Sequence, residues 1–302
     1  MAGITQDNTG IVVLGASGRV GRMICDLALK VGPKVAHMTE RSVPHIIPVV
    51  RHTPHGQTSS EQIQWRPTDP IPDGLRATAV IAAWGVTTAT DMGHAVNVQL
   101  ARDAVALAHA IGARRVVHCS SAAVYGAPVD PKQGASETTP PAPLIPYGQS
   151  KLEMEQAIPA QDASVDGSNV TSVFLRIGNV AGADRLAASG RSGQVISLDQ
   201  FPDGRGPRRS YIGPKALVRV MLWAAMARDV PRIVNVSAPH PIGMEDLAHA
   251  MGWPITWRPA PDTAIPEVAL DTRLLQRLCP LSKESSNPEV IARELHAGGW
   301  HK

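Results

Sequence analysis

Residues 11–21 read Ile11-Val12-Val13-Leu14-Gly15-Ala16-Ser17-Gly18-Arg19-Val20-Gly21. The four apolar residues predict a buried parallel strand, and the amphipathic stretch Met23–Val31 after the glycines predicts a helix. Glycines at this spacing permit a tight turn and let backbone N–H groups approach a pyrophosphate at the helix N-terminus. The spacing is G-x-x-G-x-x-G rather than the commoner G-x-G-x-x-G, and an ordinary glycine turn is the alternative. The position of the turn, between the first strand and the first helix, favours a dinucleotide site.

The predicted dinucleotide contacts begin in this turn, with Gly15, Ser17, Gly18, Arg19, Val20 and Gly21. Lys34–Met38 reads as the second strand. An acidic residue at its end would bind the ribose hydroxyls of NAD, and an arginine would accommodate the phosphate of NADP. Glu40 could serve NAD and Arg41 could serve NADP, so the sequence predicts NAD or NADP without choosing. Each residue, taken alone, could equally be a surface charge.

Strands and helices continue to alternate after an exposed connection predicted at residues 42–60. The predicted elements are a short strand at Gln62–Trp65, a strand at Thr78–Ala83, a helix at Asp91–Ile111 and strands at Arg115–Cys119 and Val170–Ile177. This alternation predicts an α/β fold with a doubly wound parallel sheet, whose ligands lie beyond the carboxyl ends of the strands. We therefore expect Ala82 and Ala83 at the cofactor and Trp84 in the wall of the substrate pocket. A core tryptophan is the alternative.

The stretch Tyr147-Gly148-Gln149-Ser150-Lys151 puts a phenol and an ammonium four residues apart. On the helix predicted at Tyr147–Ile158, that spacing places both side chains on one face. A lysine cation lowers the pKa of the phenol from its usual value of about 10, so that tyrosine can move a proton to or from an alcohol or ketone. Such a pair is usually a solvated helix face. The serine pair Ser120-Ser121 at the preceding strand end completes a catalytic set, although serines there are commonly turn formers.

The organisation changes in the last third of the chain. Residues 183–210 are rich in Gly, Ser and Arg, and the predicted elements that follow are helices at Pro214–Ala227, Met244–Met251 and Pro288–Ala297 and a strand at Ile233–Val236. We predict a Rossmann-type domain at residues 1–180, with 211–238 returning to it, and a smaller C-terminal α/β substrate domain at 181–210 and 239–302. The arginines of the basic run either bind a substrate phosphate or form a solubilising surface.

Composition excludes several classes of protein. A net charge of +3 over 302 residues and 4% aromatic residues argue against a nucleic-acid partner. The longest apolar run falls short of the ~20 residues that span a bilayer, so no membrane association is expected. Three isolated cysteines and a polar start without a signal peptide predict a cytoplasmic protein with reduced thiols. The close histidine pair His52 and His55 surrounds a proline, which favours a loop over a metal site, and no metal is predicted.

The motifs together resemble the extended short-chain dehydrogenase/reductase family, the NAD-dependent epimerase/dehydratase group, over nearly the whole chain. They are Gly15-x-x-Gly18-x-x-Gly21, Ser120-Ser121-x-x-x-Tyr125-Gly126, Tyr147-x-x-x-Lys151 and Arg176-x-x-Asn179-Val180-x-Gly182. The resemblance implies that Ser121, Tyr147 and Lys151 are catalytic, with Tyr147 and Lys151 also touching the cofactor. It places Asp69 near the adenine and matches Asn97 to an asparagine of the central helix. It also implies a homodimer formed through the helices at 91–111 and 147–158.

The resemblance extends to the substrate. Nucleotide-sugar members such as UDP-galactose epimerase contact the nucleotide diphosphate through an asparagine and two arginines, which match Asn179, Arg209 and Arg258. The expected partner is therefore a small molecule, a sugar or nucleotide sugar. The pair Ala122-Ala123 stands where sugar dehydratases place the Asp-Glu that removes water, and this argues against a dehydratase. Departures at Lys215 and at residues 82–85 leave the particular substrate open.

These observations favour an NAD(P)-dependent oxidoreductase or epimerase that acts on a secondary hydroxyl or keto group of a sugar. One alternative is an NADPH-dependent reductase of a small ketone or aldehyde, in which the arginines are only surface residues. Another is a non-catalytic dinucleotide sensor that binds a protein. A sensor would be expected to have a broken Ser-Tyr-Lys set, whereas Ser121, Tyr147 and Lys151 are all in place.

Overall fold

The computed structural model describes residues 10–51, 62–87, 91–127, 134–158 and 169–301, with only the backbone of 91–94. The predicted histidine pair, His52 and His55, lies outside the described residues. The strands are β1 Gly10–Leu14, β2 His45–Val50, β3 Ile63–Gln64, β4 Ala79–Ala82, β5 Arg115–Ser121, β6 Thr171–Ile177, β7 Asn179–Val180, β8 Ile196–Gln200, β9 Arg208–Arg209, β10 Tyr211–Ile212, β11 Ile233–Val236, β12 Ile242–Gly243, β13 Ile255–Pro259 and β14 Glu267–Val268. The helices are α1 Arg19–Thr39, α2 Asp91–Ile111, α3 Pro146–Ala157, α4 Arg185–Arg191, α5 Pro214–Met226, α6 Met244–Ala250, α7 Arg273–Leu278 and α8 Pro288–Ala297, with 3₁₀ turns at Ala122–Tyr125 and Lys283–Ser286.

Seven strands form one parallel sheet in the order β11-β6-β5-β4-β1-β2-β3. The apolar side chains of β1 are at most 1% exposed, as expected for a strand covered on both faces. From β1 the chain first builds outward through β2 and β3, and then returns to the other side of β1 to add β4 and β5. This reversal of direction beside β1 confirms the predicted α/β, doubly wound architecture.

The second predicted strand is wrong. Lys34–Met38 belongs to α1, which continues through Gly32 and Pro33 to Thr39. The buried residues Leu27, Ala28, Val31, Gly32, Val35 and Ala36 recur at helical spacing on both sides of the proline. Pro33 itself is exposed, so its ring points away from the core. The apolar face of the helix therefore keeps the chain helical past a residue that ordinarily ends a helix.

The second strand lies instead within the predicted connection, at His45–Val50. It contains Pro48, which pairs in register with Val13 of β1. On its other side, β3 pairs only with Val49 and Val50. The stretch that holds Pro48 is thus a sheet edge, where a residue without an N–H group is tolerated.

The chain forms two compact units. Unit 1 is Met1–Cys119, Glu153–Phe174 and Met221–Arg232, and unit 2 is Ser120–Leu152, Leu175–Val220 and Ile233–Lys302. Within unit 2, a core cluster includes Leu198, Tyr211 and Leu295. Strands of this unit that lie outside the seven-stranded sheet form three small sheets, in which β7 pairs with β10, β8 pairs with β13, and β9 lies between β12 and β14. The basic segment 183–210 contains α4, β8 and β9 rather than one long loop. The division into domains at residue 180 stays a prediction.

Candidate active site

The glycine turn after β1 has backbone geometry that only glycine allows. Gly15 has φ 79°, and a Cβ built on it would lie 2.9 Å from the Cα of Trp84. Cβ atoms at Gly18 and Gly21 would both press against the carbonyl oxygen of Gly15, and the one at Gly21 would overlap it. The amide groups of Gly15 and Ala16 both donate to the carbonyl of Val49 at 3.1 Å, which ties the turn to the end of β2.

The first turn of α1 suits a bound anion. Gly18, the N-cap residue, provides no side-chain hydrogen bond, and the first turn contains no acidic residue. The positive end of the dipole of this 21-residue helix therefore faces no acidic side chain from its own first turn. Ser17 and Arg19 are exposed and Val20 is half-buried beside this end. These residues fit the pyrophosphate of a dinucleotide, as the sequence predicts.

The residues after β4 lie next to the glycine turn. Ala82 pairs in register with Leu14, and the N–H group of Ala83 donates to the Leu14 carbonyl at 3.0 Å. Trp84 follows, and its ring stacks on Trp65, with centroids 6.3 Å apart and planes at 24°. Ala82 and Ala83 thus lie close to the glycine turn, and their cofactor role stays a prediction.

Trp84 is packed against its neighbours in unit 1, and its predicted place in the wall of a substrate pocket stays a prediction. It is 8% exposed, backs Gly15 and packs toward Trp65, which follows β3. Among the described residues, its indole N–H group has no hydrogen-bond acceptor. This burial agrees with the alternative given in the sequence analysis, a core tryptophan, here within unit 1.

Glu40 and Arg41 do not lie beside the glycine turn, contrary to the prediction that one of them contacts the cofactor. Glu40 is the C-cap of α1 with φ 54°, and both residues precede β2 rather than follow it. The charge of Arg41 acts on Arg115, the first residue of β5. Both residues thus lie at the amino edge of the parallel sheet, whereas the glycine turn is at the carboxyl edge. The error follows directly from the misassigned second strand.

Two further residues of unit 1 hold loops at the carboxyl edge. The carboxylate of Asp69 accepts the backbone N–H group of Arg66 at 3.0 Å, and its carbonyl accepts the indole N–H of Trp65 at 3.3 Å. Asn97 of α2 is 3% exposed and forms a double hydrogen bond with the backbone of Val86, at 2.9 and 3.0 Å. Asp69 thus shapes the turn after β3, and Asn97 fixes the loop after β4.

In unit 2, Tyr147 and Lys151 lie one turn apart near the start of α3. The Nζ atom of Lys151 is 5.7 Å from the centroid of the Tyr147 ring. Lys151 is only 4% exposed, whereas Tyr147 is half-buried. Lysine is seldom buried to this extent on a solvated helix face. The burial of Lys151 therefore argues against the alternative that the Tyr-x-x-x-Lys pair is only a solvated helix face.

Ser121 is the last residue of β5, and its Oγ atom accepts the N–H group of Ala123 at 3.2 Å. This bond caps the 3₁₀ turn at Ala122–Tyr125 and leaves the hydroxyl proton of Ser121 uncommitted by it. A Cβ on Gly148 would overlap the carbonyl oxygen of Ala123. The missing side chain at 148 therefore allows α3 to pack backbone to backbone against the turn that follows Ser121.

A buried polar network supports the Ser121 turn, and the sequence did not predict it. The hydroxyl of Tyr125 donates to Oδ1 of Asn235 at 2.7 Å, and the guanidinium of Arg176 lies over the Tyr125 ring at 4.8 Å. Burial raises the pKa of Tyr125, so the phenol stays protonated and remains a donor. Tyr125 and Arg176 belong to quoted motifs, but nothing in the sequence marks Asn235 as their partner.

Asn179 belongs to a second buried network. It pairs in register with Tyr211, and its side chain hydrogen-bonds both Tyr211 and Asp184. The Tyr211 hydroxyl donates to Asp184 at 2.9 Å, and Asp184 also caps α4 by accepting the N–H group of Ala187 at 3.1 Å. Burial raises the pKa of Asp184 and holds the pKa of Tyr211 well above its usual value. Asn179 therefore already has partners within the protein.

The two arginines predicted for the substrate are grouped around one carboxylate. Nε of Arg258 contacts Oδ1 of Asp199 at 2.6 Å, and the charge of Asp199 also acts on Arg209. Arg209 donates to the carbonyl groups of Arg208 and Pro266 at 2.7 and 3.3 Å, and burial lowers its pKa. Asp199 was not predicted from the sequence, since it becomes the partner of Arg258 only through the pairing of β8 with β13.

These features define a class of protein. The parallel sheet is doubly wound, and a glycine turn leads into a helix without a side-chain cap. Another helix carries a tyrosine and a buried lysine. This combination is typical of a dinucleotide-dependent oxidoreductase. The sequence profile of the NAD dependent epimerase/dehydratase family matches residues 11–237, more than half of the chain. The chain belongs to this family. It is an enzyme of the extended short-chain dehydrogenase type, and its cofactor is NAD or NADP.

Known proteins align over most of the length. The dTDP-6-deoxy-L-talose 4-dehydrogenase (NAD(P)(+)) of Kitasatospora kifunensis is 27% identical over 283 residues, covering 85% of this chain and 84% of its own. The structure of the UDP-Glc/GlcNAc 4-epimerase from Campylobacter jejuni matches with a TM-score of 0.75 and 19% identity, over 97% of this chain and 98% of its own. The UDP-glucose 4-epimerase from Brucella ovis in complex with NAD matches with a TM-score of 0.72 and 18% identity, over 96% and 98%.

Two negative findings complete the description. Within the described ranges, no helix is long and apolar enough to cross a bilayer. The same residues contain no cluster of three or more histidine, cysteine, aspartate or glutamate side chains suited to a metal ion.

Proposed function

We propose that this enzyme oxidises, reduces or epimerises a secondary hydroxyl or keto group of a sugar carried on a nucleotide. The observation that carries the proposal is the burial of Lys151 with its ammonium 5.7 Å from the Tyr147 ring. The names of the relatives supply the substrate class, because they act on dTDP- and UDP-linked sugars. Asn179, Arg209 and Arg258 lie in the unit that also contains Ser121, Tyr147 and Lys151.

Each residue of the set has a distinct role in this proposal. Tyr147 acts as the phenolate, which the ammonium of Lys151 stabilises, and it becomes the neutral phenol when it takes the proton of the substrate hydroxyl. Ser121 donates its hydroxyl hydrogen to the substrate oxygen while Ala123 fixes the position of Oγ. The bound dinucleotide supplies hydride acceptance and donation at its nicotinamide ring. The pair Ala122-Ala123 offers no carboxyl group for loss of water, which argues against a dehydratase.

Replacing Tyr147 with Phe tests the mechanism. A panel of UDP- and dTDP-hexoses is incubated with NAD(P)⁺ or NAD(P)H, and both the nicotinamide absorbance and the sugar products are followed. We expect Tyr147→Phe to lower the turnover of the accepted substrate by about 10²–10⁴-fold, since one proton-transfer group is removed. Dinucleotide affinity should stay within about twofold, a change of less than 0.5 kcal/mol.

The exposed residue Gln149 on the same helix provides the control, because Gln149→Ala should retain turnover. Turnover of Tyr147→Phe equal to that of the wild type would exclude Tyr147 as the proton-transfer group. If no nucleotide sugar reacts while a dinucleotide binds tightly, the sensor hypothesis becomes the better description.

A second candidate function is reduction of a small ketone or aldehyde by NADPH. It is favoured by the ion pair of Arg258 with Asp199 and by the two backbone carbonyl groups that Arg209 already holds. Titration with UDP and dTDP separates the candidates. Binding that is lost in Arg209→Ala and kept in Arg205→Ala, a substitution at an exposed arginine, supports the nucleotide sugar. No binding of either nucleotide supports the small substrate.

A further inference from the structure

The end of β2 is fixed beside the glycine turn by hydrogen bonds. The carbonyl group of Val49 accepts the N–H groups of both Gly15 and Ala16, each at 3.1 Å. In a doubly wound sheet, the adenosine ribose of a dinucleotide lies at this point, beyond the carboxyl end of the second strand. β2 ends at Val50, so the first residue past the strand, and two positions past the bridging carbonyl, is Arg51.

Arg51 is exposed, and within the described residues its guanidinium group forms no hydrogen bond or ion pair, whereas its carbonyl oxygen accepts one hydrogen bond. That bond comes from Nε of Arg66 at 3.2 Å, so a second guanidinium group lies against the end of β2. The described residues at this edge therefore include two guanidinium groups, those of Arg51 and Arg66, and one carboxylate, that of Asp69.

The sequence has no acidic residue immediately after β2 that could bind the ribose hydroxyls as a carboxylate does. Residues 51–60 contain no acidic side chain, and the first one after Arg51 is Glu61. The carboxylate of Asp69, after β3, accepts the N–H group of Arg66 at 3.0 Å. A guanidinium group has five donors and no acceptor, so it cannot accept hydrogen bonds from the 2′- and 3′-hydroxyls as a carboxylate does. It can bind the oxygens of a phosphate with two parallel hydrogen bonds.

We propose that this enzyme selects NADP(H) over NAD(H), and that Arg51 binds the 2′-phosphate. The proposal rests on the dinucleotide site at the glycine turn and chooses between its two forms. It differs from the sequence-based expectation in the residue, because Arg41 lies at the opposite edge of the sheet. It also separates this chain from the similar structures that contain NAD, whose identity of about a fifth shows the shared fold alone.

Direct binding measurements test the selectivity without any turnover. The affinities of the purified protein for NADPH and NADH are compared by nicotinamide fluorescence, and those for adenosine 2′,5′-bisphosphate and 5′-AMP by calorimetry. We expect NADPH and the bisphosphate to bind at least about tenfold more tightly than NADH and 5′-AMP, since the 2′-phosphate adds charge-assisted hydrogen bonds that an unphosphorylated ribose lacks. Arg51→Gln should lose at least about tenfold of the affinity for NADPH and keep that for NADH within about threefold.

The matched control is Arg41→Gln, which removes an exposed arginine at the other edge and should change neither affinity. Thermal unfolding without ligand checks that both variants fold. Equal affinity of the wild type for the two dinucleotides, or equal losses for both in Arg51→Gln, overturns the selectivity and leaves the enzyme class intact. If neither dinucleotide binds to the wild-type protein, the cofactor site at the glycine turn is itself overturned.

Discussion

At the scale of single residues, Asn235 joins segments that are far apart in the sequence. It is fully buried, accepts the Tyr125 hydroxyl at 2.7 Å, and donates to the carbonyl groups of Ala135 and Asp271 at 2.8 and 3.1 Å. Asn235→Leu removes all three bonds and leaves buried partners unsatisfied. We expect the free energy of unfolding to fall by about 3 kcal/mol, measured by urea denaturation.

Asn287 offers a comparison for this substitution. It is an exposed N-cap of α8 whose Oδ1 accepts the N–H group of Glu289 at 2.9 Å. Asn287→Ala should cost only about 1 kcal/mol, the usual value of a cap. Similar losses for the two variants would show that the network around Asn235 has no special contribution.

The reactivity of Cys25 is a second prediction at this scale. Burial, with a smaller contribution from the charge of Asp26, raises the pKa of the Cys25 thiol to about 11. Only the thiolate reacts with iodoacetamide, and a raised pKa moves its formation to higher pH. We expect labelling of Cys25 in the folded protein to be very slow near pH ~8 and to increase toward the raised value, as shown by peptide mass mapping. Labelling at pH ~8 as fast as in the urea-unfolded chain, where the ordinary pKa of ~8.5 applies, would contradict the burial.

At the scale of elements, α1 contains a proline that lies beyond Val31, where the predicted helix ends. Pro33 lies inside the helix, is exposed, and has no N–H group to offer the carbonyl of Leu29. Pro33→Ala restores that donor and loses no buried contact. We expect a gain of about 1–2 kcal/mol in the free energy of unfolding, the helix-interior cost of proline reduced by the more flexible unfolded chain. A loss of stability in urea denaturation would show that Pro33 has a packing role.

The junction of β1 with α1 depends on Gly21. A methyl group there overlaps the carbonyl oxygen of Gly15, so Gly21→Ala must displace the first turn of α1 from the glycine turn. We expect at least a tenfold loss of affinity for NADPH and NADH alike, about 1.4 kcal/mol, measured by fluorescence titration. Leu29→Ala changes an 80% exposed residue of the same helix and should bind as the wild type does. Unchanged binding by Gly21→Ala would show that the close contact of Gly21 with the Gly15 carbonyl oxygen is not needed for dinucleotide binding.

The elements also show where sequence reasoning succeeds. Helices α2 and α8 have the predicted bounds, because apolar periodicity and terminal glycines mark their ends. The strand β2 was missed because Pro48 and the surrounding polar residues are typical of a loop, and its edge position becomes visible only in the register. Glu40 and Arg41 were predicted to lie at the cofactor ribose for that reason. Arg51, which we propose as the ligand of the 2′-phosphate, was not considered. Tyr147 and Lys151 could be located from the sequence because their motif spans only five residues. A residue predicted at the end of a strand is misplaced whenever the strand itself is assigned to the wrong segment.

At the scale of the whole molecule, the repeated strand–helix pattern was sufficient to predict the parallel sheet. The second unit was less accessible, because five of its strands have only two residues each and pair across long stretches of chain. Asp199 illustrates the difficulty. Its contact with Arg258 needs the alignment of β8 with β13, 59 positions along the chain. No spacing within a short window of sequence carries that information.

The predicted homodimer is a property of the whole molecule and can be tested on an exposed residue. The resemblance implies that the subunits pair through the helices at 91–111 and 147–158, and Val96 in the first of these is 38% exposed. We expect native mass spectrometry to show an assembly of two 32.0 kDa chains. Val96→Glu places a charge where a partner subunit would remove it from water, and it should shift the mass distribution to the monomer. Leu29→Glu, at an 80% exposed position on α1, should leave the dimer intact. A monomeric wild-type protein, or a dimer unaffected by Val96→Glu, would contradict pairing through α2.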